Sequence, residues 1–195
     1  MIANSVYLAS QSPRRGELLS QIGIHYERLS NKVCEKHLPD ESPEQLVLRL
    51  AVSKAQAGWA HGKRQHFWPV IGSDTIVHIE NTVFGKPDNN EEAKAMLRQL
   101  SGRSHQVKTA VAVVLGKRLL TKNSDSRVYF HTLSDDDIND YVESGESLDK
   151  AGAYGIQGMA GKFVERIEGS YSGIVGLPLD IVSGLVKEVL ASSSQ

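Results

Sequence analysis

The chain has little of what marks exported or membrane-embedded proteins. It has a single cysteine, Cys34, among 195 residues, which excludes an intramolecular disulfide framework and a multi-cysteine zinc site and suits a reducing compartment. The first residues form neither a basic segment nor a long apolar one. No run approaches the roughly 18 apolar residues of a membrane span. We therefore expect a cytoplasmic protein without a membrane partner.

An excess of charge of either sign is also missing. Lys and Arg total 22 and Asp and Glu total 23, for a net charge of −1. Nothing therefore draws the whole chain to nucleic acid, and any anion site must be local. The composition is 40% hydrophobic and 23% charged, as in ordinary soluble globular proteins. A chain of this length can build a core without splitting it, and we expect one domain over residues 1–195.

The familiar phosphate and hydrolase motifs are absent as well. The sequence has no Walker A loop, no G-x-G-x-x-G fingerprint and no G-x-S-x-G elbow. The 7 histidines show no metal-motif spacing, and no base stands beside Cys34 to make it a nucleophile. Any chemistry must therefore come from single residues in unexpected places.

Strand and helix patterns alternate along the chain. Apolar runs predict strands over residues 6–9, 26–29, 69–77, 109–115, 127–131, 163–167 and 174–175. The polar residues 122–126 look like a connection within a meander. Capping residues and helical periodicity predict a last helix over 181–190 and earlier helices that begin at Ser12, Ser42, Asn89 or Asn90, and Ser134. Glycines crowd between residues 145 and 176, which predicts tight turns, and we expect the tail 192–195 to be frayed.

Two arginines stand where a helix disfavours them. Arg14 and Arg15 follow Ser12 and Pro13 in a first helical turn, where a positive charge opposes the macrodipole by roughly 0.3 to 1 kcal/mol. An anion bound over the helix N-terminus, held by backbone N–H groups and both guanidinium groups, would offset that cost. Two solvated arginines on a surface turn would need no ligand. The local spacing leaves both interpretations open.

A carboxylate interrupts a strand that is otherwise predicted to be buried. Asp74 stands between Val70-Ile71 and Ile76-Val77, and burying a carboxylate costs several kcal/mol unless it is paired or metal-bound. It can ligate Mg²⁺ or Mn²⁺, act as a base toward an attacking water, or cap a turn at a strand end.

Two lysines and a glutamate complete the set of candidates. Lys54 falls on the apolar stripe of the second helix and Lys86 lies between Gly85 and Pro87. Each alone is consistent with an aliphatic stem that reaches to water. Together with the two arginines and Asp74 they form a group suited to a polyphosphate and a metal ion. Glu35 lies in a polar loop, where only a neighbouring site would make it a metal ligand.

Five ordered motifs in this sequence resemble those of the Maf family. They are Leu8-Ala9-Ser10-Gln11-Ser12-Pro13-Arg14-Arg15, Gly72-Ser73-Asp74-Thr75, Gly85-Lys86-Pro87, Leu100-Ser101-Gly102 and Asp149-Lys150-Ala151-Gly152-Ala153-Tyr154-Gly155-Ile156-Gln157-Gly158. The resemblance extends from Leu8 to Pro178.

The resemblance implies a nucleoside triphosphate pyrophosphatase. Such an enzyme cleaves between the α and β phosphates and releases a nucleoside monophosphate and pyrophosphate, with a divalent metal, Mg²⁺ or Mn²⁺. The implied fold is α/β and similar to that of the inosine triphosphatases. It consists of a long mixed β-sheet flanked by helices, with two lobes and a central cleft, commonly in a homodimer.

The resemblance also implies roles for single residues. Asp74 matches the proposed proton acceptor, and Arg14, Thr75 and Gln157 match positions associated with substrate choice. Thr75 and Gln157 are typical of the branch that acts on dTTP and UTP. The other matching site positions are Ser10, Arg15, Glu35, Lys54 and Lys86. We expect Asp74, Lys54 and Lys86 to be catalytic and Glu35 and Asp74 to hold the metal. The nucleotide would be bound by Ser10, Arg14, Arg15, Thr75 and Gln157.

Two alternatives stay open. Ser73 stands where the dTTP/UTP branch often has alanine and resembles the sister branch, so one alternative is a pyrophosphatase for 7-methyl-GTP or a modified nucleotide. The other is a nucleotide-binding regulator, because the family has been linked to arrest of septum formation, which needs no catalysis. The presence of Asp74 and both lysines favours an enzyme.

Overall fold

The computed structural model describes residues 5–30 and 32–191. Residues 1–4, Asn31 and the tail 192–195, with the fraying predicted there, lie outside the described residues. The strands are β1 (Ser5–Leu8), β2 (His25–Arg28), β3 (Val70–Ile79), β4 (Thr82–Phe84), β5 (Ser104–Leu115), β6 (Arg118–Phe130) and β7 (Val164–Glu168). The α-helices are α1 (Pro13–Gln21), α2 (Pro43–Trp59), α3 (Asn90–Leu100), α4 (Asp135–Glu143), α5 (Tyr171–Val175) and α6 (Leu179–Ala191). Two short 3-10 segments lie at Ala151–Ala153 and Met159–Phe163.

The strands form one mixed sheet with helices on both faces. Its order is β2-β1-β3-β5-β6-β7, and β4 pairs with β3 outside this path. β1 runs parallel to β2 and β3, and the remaining pairs are antiparallel. The predicted mixed sheet flanked by helices is confirmed.

Alternation along the long strands divides the core between the two faces. Ile71 of β3 packs against α1 and α6, and Val77 packs on the same face against α3 and α4 at the other end of the strand. Ile76 points to the opposite face and packs against α2, as the two-residue period of a strand requires. The two helix groups at opposite ends of the long strands form two lobes, as expected.

Gly72 lets α2 lie directly on β3. A Cβ atom at this position would stand 2.4 Å from the carbonyl oxygen of Ala51 and 2.4 Å from the amide nitrogen of Ala55. Only glycine leaves room for this approach. The close contact brings Lys54, which lies between Ala51 and Ala55 in α2, over the middle of β3.

Two strand predictions are wrong. Residues 122–126 are not a connection but part of the long strand β6; one face of that strand is largely exposed, so its pattern is polar without a turn. Residues Ile174 and Val175 lie in the helix α5, not in a strand. Ser170 precedes this helix and caps it, because its Oγ accepts the Gly173 N–H. The apolar pair Ile174-Val175 does not by itself reveal that a capped helix contains it.

The helix starts follow the predicted capping residues with one exception. Ser42 and Gln45 form the capping box of α2, Asn89 caps α3, and Ser134 caps α4. Ser12 precedes α1 without a side-chain cap, and its own N–H donates to Ser10 Oγ at 3.2 Å. No helix in the described part of the chain combines the length and the apolar character needed to cross a bilayer.

Candidate active site

One cleft of about 1570 Å³ gathers all the residues that the sequence singles out. It lies where the start of α1, the loop before α2, the middle of β3 and the segment after α4 come together. The predicted site residues that line it are Ser10, Arg14, Arg15, Glu35, Lys54, Asp74, Thr75, Lys86 and Gln157. Four of these nine residues carry positive charge and two, Glu35 and Asp74, carry a carboxyl group, so the cleft brings cations and acids together.

Lys54 joins two carboxylates on the α2 face of the sheet. Its Nζ lies 2.5 Å from Oδ1 of Asp74 and 2.6 Å from Oε1 of Glu35. The Asp74 side chain is only 10% exposed, whereas that of Glu35 is 53% exposed. A buried and a solvated acid are therefore held by one ammonium group.

The pKa values of the two carboxyl groups are shifted in opposite directions. Desolvation raises the pKa of Asp74 above its usual range, although the charges of Lys54 and Arg15 oppose this shift. Partial burial alone would raise the pKa of Glu35, but its hydrogen bond to Lys54 and the charges of Lys54, Lys86 and Arg15 lower it overall. Asp74 is thus the carboxylate that binds a proton more readily, as a general base requires.

Arg15 is buried and held by three oxygen atoms. Its Nε donates to the Gly176 carbonyl at 2.8 Å, Nη1 to Ser10 Oγ at 3.0 Å and Nη2 to Thr75 Oγ1 at 3.2 Å. The interpretation of two solvated arginines is therefore wrong for Arg15. A guanidinium has five N–H donors, so these bonds leave two for an anion in the cleft.

Ser10 is poised to donate. Its oxygen accepts one bond from Arg15 and one from the Ser12 N–H. Both lone pairs of the hydroxyl are thereby used, and its hydrogen is left for an acceptor in the cleft.

Arg14 is the more accessible arginine of the pair. Its side chain is 28% exposed, and Nη1 lies 3.3 Å from Oδ2 of Asp149. Asp149 also pairs with Lys150 at 2.5 Å. Arg14 therefore links the start of α1 to the segment that carries Gln157.

Gln157 lies exposed on a glycine-rich loop that two side chains enclose. The Glu146 carboxylate accepts the Met159 N–H at 3.0 Å, and a Cβ atom at Gly158 would collide with it at 2.0 Å. A Cβ atom at Gly155 would meet Cε of Lys150 at 2.6 Å. The predicted glycine crowding thus serves close approach as well as turns.

The family described as Maf-like protein matches residues 5–189. The chain belongs to this family.

Relatives of this Maf-like protein are named dTTP/UTP pyrophosphatase. The one from Shigella dysenteriae serotype 1 (strain Sd197) is 53% identical over 175 residues, covering 90% of this chain and 88% of its own. The one from Chromobacterium violaceum is 48% identical over 187 residues, covering 94% and 93%. Among solved structures, the Staphylococcus aureus Ham1 protein has a TM-score of 0.42 at 14% identity and covers 65% of this chain and 71% of its own.

The carboxylates of the Maf-like site suit a hard divalent cation. Asp74 and Glu35 share Lys54 and offer oxygen donors, and Mg²⁺ typically takes one or two carboxylates together with substrate phosphates. Within residues 5–30 and 32–191, no three His, Cys, Asp or Glu side chains are grouped to form a metal cage. The donor set therefore fits a cation that takes much of its coordination from a bound nucleotide.

Sequence reasoning missed the residues that hold this Maf-like site together. Gly176 accepts bonds from Arg15 and from Ser73, and Thr109 bonds to Thr75 at 2.9 Å. The glycine-rich stretch predicted close contacts near Gly176, but the sequence did not indicate that Arg15 and Ser73 make them. Nothing in the local sequence singles out Thr109, because its role depends on which strands are neighbours.

Proposed function

We propose that this Maf-like protein hydrolyses dTTP and UTP to the nucleoside monophosphate and pyrophosphate, with a divalent metal. The observation that carries the proposal is one cleft in which the buried Asp74 stands among four cationic side chains. Relatives at about half identity are named for the same activity.

The triphosphate would bind at the start of α1. The free N–H groups of the first helical turn attract phosphate, and the two remaining donors of Arg15 and the hydroxyl of Ser10 would donate to it as well. Arg14 would exchange Asp149 for a phosphate oxygen, since an arginine binds phosphate with a fork of N–H donors. Lys86, which also lines the cleft, would add positive charge.

Hydrolysis of the anhydride depends on a water and a proton acceptor. Asp74 would accept the proton of the attacking water, and Lys54 holds its carboxylate in place at 2.5 Å. Glu35 would hold the cation, together with Asp74 if Asp74 is not itself the proton acceptor, and the bound cation would supply neutralisation of the phosphate oxygens. Lys54 and Lys86 would offset the charge that develops on the leaving pyrophosphate, whereas Arg14 and Arg15 would bind the triphosphate.

Gln157 would select the base. Uracil and thymine present an acceptor, a donor and an acceptor along their imide edge, and an amide can pair with part of that pattern. A freely turning amide would also accept cytosine. Selection therefore needs a fixed loop, and the contacts of Glu146 and Lys150 with residues 155–159 supply it.

The alternative of 7-methyl-GTP gains no support from Ser73. Its side chain is fully buried and donates to the Gly176 carbonyl at 2.9 Å, on the face of the sheet opposite Asp74. A serine in this position supports Arg15 rather than contacting a base.

A nucleotide panel tests the proposal. Wild type and Asp74→Asn are compared on dTTP, UTP, CTP, GTP, ATP and 7-methyl-GTP with Mg²⁺ or Mn²⁺, and monophosphate, pyrophosphate and orthophosphate are resolved. We expect monophosphate and pyrophosphate from dTTP and UTP and their loss in Asp74→Asn. Turnover of 7-methyl-GTP alone would establish the sister activity. Tight nucleotide binding without turnover would establish the binding regulator.

We further infer that the protein works in the cytoplasm as a homodimer of one-domain chains over residues 1–195, with no nucleic-acid partner. The net charge of −1 supports the last point, and four hydrophobic clusters that share one sheet support the single domain. Light scattering and one cooperative unfolding transition in solution test the dimer and the domain.

A further inference from the structure

Two threonines face each other beneath the phosphate side of the cleft. Thr75 of β3 and Thr109 of β5 are directly opposite in the strand register, and their Oγ1 atoms lie 2.9 Å apart. Thr75 borders the cleft. Thr109 is fully buried, so it does not reach a ligand.

The direction of every hydrogen bond in this pair is fixed. Thr109 Oγ1 lies 2.8 Å from the Gly173 carbonyl, which can only accept, so the single hydroxyl hydrogen of Thr109 is used there. The 2.9 Å contact between the two threonines therefore uses the hydrogen of Thr75. Thr75 Oγ1 in turn accepts from Arg15 Nη2 at 3.2 Å. The bonds run in one direction from Arg15 through Thr75 and Thr109 to Gly173.

This order leaves Thr75 without a hydrogen for the nucleotide. Its hydroxyl cannot donate to a carbonyl oxygen of uracil or thymine while the chain of bonds is intact. The strand alternation also turns Thr75 away from the face of Asp74 and toward Arg15 and Gly176. Thr75 therefore contacts the Arg15 guanidinium. Gln157, the residue proposed to select the base, lies in the glycine-rich loop and not in β3.

We propose that Thr75 and Thr109 are positioning residues for Arg15, so that Thr75 acts on triphosphate binding rather than on the choice of base. The proposal rests on the proposed function only in taking a triphosphate as the ligand. The Thr75 hydroxyl, itself held by Thr109, holds one edge of the guanidinium while Gly176 and Ser10 hold the others, and the two free donors then have a fixed direction.

Isosteric variants that lack the hydroxyl test this role. Thr75→Val removes an acceptor of a charged donor, and we expect the KM for UTP to rise roughly tenfold. Thr109→Val, two bonds from Arg15, should raise it roughly threefold. In both variants kcat should change little, and the ratio of kcat/KM for UTP to that for CTP should stay as in wild type. Thr109→Ser, which keeps the hydroxyl, should restore the KM.

Two controls distinguish a loss of Arg15 positioning from a general loss of folding. Thr121→Val changes an exposed threonine of β6 and should leave the KM unaltered. Thermal unfolding of each variant reports whether the sheet is intact. If Thr75→Val instead alters the UTP to CTP ratio while Thr109→Val has no effect, Thr75 contacts the base directly and the proposal is wrong. A KM equal to wild type in both valine variants also overturns it.

Binding of inorganic tripolyphosphate, measured by calorimetry without nucleotide, separates this proposal from the proposed function. It should weaken in Thr75→Val and Thr109→Val by the same factors as the KM rises, and recover in Thr109→Ser. If wild type hydrolyses no nucleotide but these differences persist, the proposed function fails and the positioning role stands. Unchanged tripolyphosphate binding in an active enzyme rejects the positioning role alone.

Discussion

The Nζ atom of Lys54 lies 2.5 Å from Oδ1 of Asp74, an ion pair between a helix and the strand beneath it. Gly72 allows this pair because it lets the two backbones touch at Ala51 and Ala55, on either side of Lys54. The pair gives Asp74, the most buried carboxylate of the cleft, a positively charged partner. Desolvation nevertheless raises the pKa of Asp74. The residue best suited to accept a proton is therefore also one that the fold holds at a cost.

Replacing Asp74 should stabilise the protein while removing its activity. The pKa of Asp74 is raised in the folded state, so the folded state binds the proton more tightly than the unfolded state does. The carboxyl group therefore costs no stability below its unfolded pKa of about 3.9 and an increasing amount as pH rises through the folded pKa. Asp74→Asn should melt a few degrees above wild type at neutral pH, and the two should converge in acid.

Thermal melts in chelator and without nucleotide measure this difference, with Asp88→Asn as the exposed control. A wild type that is more stable than Asp74→Asn at neutral pH would mean that the attraction of Lys54 outweighs the desolvation of Asp74.

A methyl group at Gly72 should separate α2 from β3. Gly72→Ala would place Cβ 2.4 Å from the Ala51 carbonyl oxygen, and overpacking of this kind typically costs about 1 to 3 kcal/mol. Lys54 would move with the helix, so turnover should fall with stability. The matched control is Gly184→Ala, because Gly184 lies in α6 with open space around it. That change should stabilise the helix by about 0.5 to 1 kcal/mol. Urea unfolding measures the free energy of unfolding of both variants. Equal values for Gly72→Ala and Gly184→Ala would refute the close contact between α2 and β3.

The buried His105 should lower the free energy of unfolding in mild acid. It lies between the rings of Phe130 and Tyr154, and its Nε2 is 2.7 Å from the Tyr154 hydroxyl. Burial lowers the pKa of His105 to about 4 from 6.5, with a smaller contribution from His78. The unfolded chain therefore takes up a proton below pH 6.5 that the folded chain refuses until about pH 4.

The free energy of unfolding should consequently fall by as much as about 3 kcal/mol across that interval. In His105→Gln the fall should be smaller, whereas His131→Gln, at an exposed site, should behave as wild type. Urea titrations at about pH 7 and about pH 5 compare the three. An equal loss in all three would exclude His105 as its source.

The loop around Gln157 should set base selectivity. Gln157→Ala removes the amide and should bring the rates on UTP and CTP together with little change in the rate on the better substrate. Glu146→Gln keeps one acceptor for the Met159 N–H but loses the carboxylate charge, so it should reduce the UTP preference by roughly threefold. Glu143→Gln, at the exposed end of α4, serves as the control. Unaltered selectivity in Gln157→Ala would move base recognition to another residue.

The sequence predicts best where a local pattern carries the whole signal. Asp74 in a buried strand and the Ser42–Gln45 capping box both follow from short stretches of residues. The rest depends on contacts between distant segments. The polar residues 122–126 continue a strand because β5 pairs with every one of them, and Thr109 matters only because β3 places Thr75 opposite it. The two arginines, the two lysines and Asp74 could be grouped from the residues alone. The other site residues entered only through the resemblance, because no local feature sets them apart: Ser10, Glu35, Thr75 and Gln157.

The carbonyl of Gly176 reaches back across 161 positions of the chain to the Nε of Arg15. Because a polypeptide is made from its N-terminus, Arg15 is synthesised long before Gly176, and a growing chain carries its arginine without the carbonyl that orients it. The orientation of this guanidinium is therefore a property of the folded chain as a whole and not of the α1 segment that carries it.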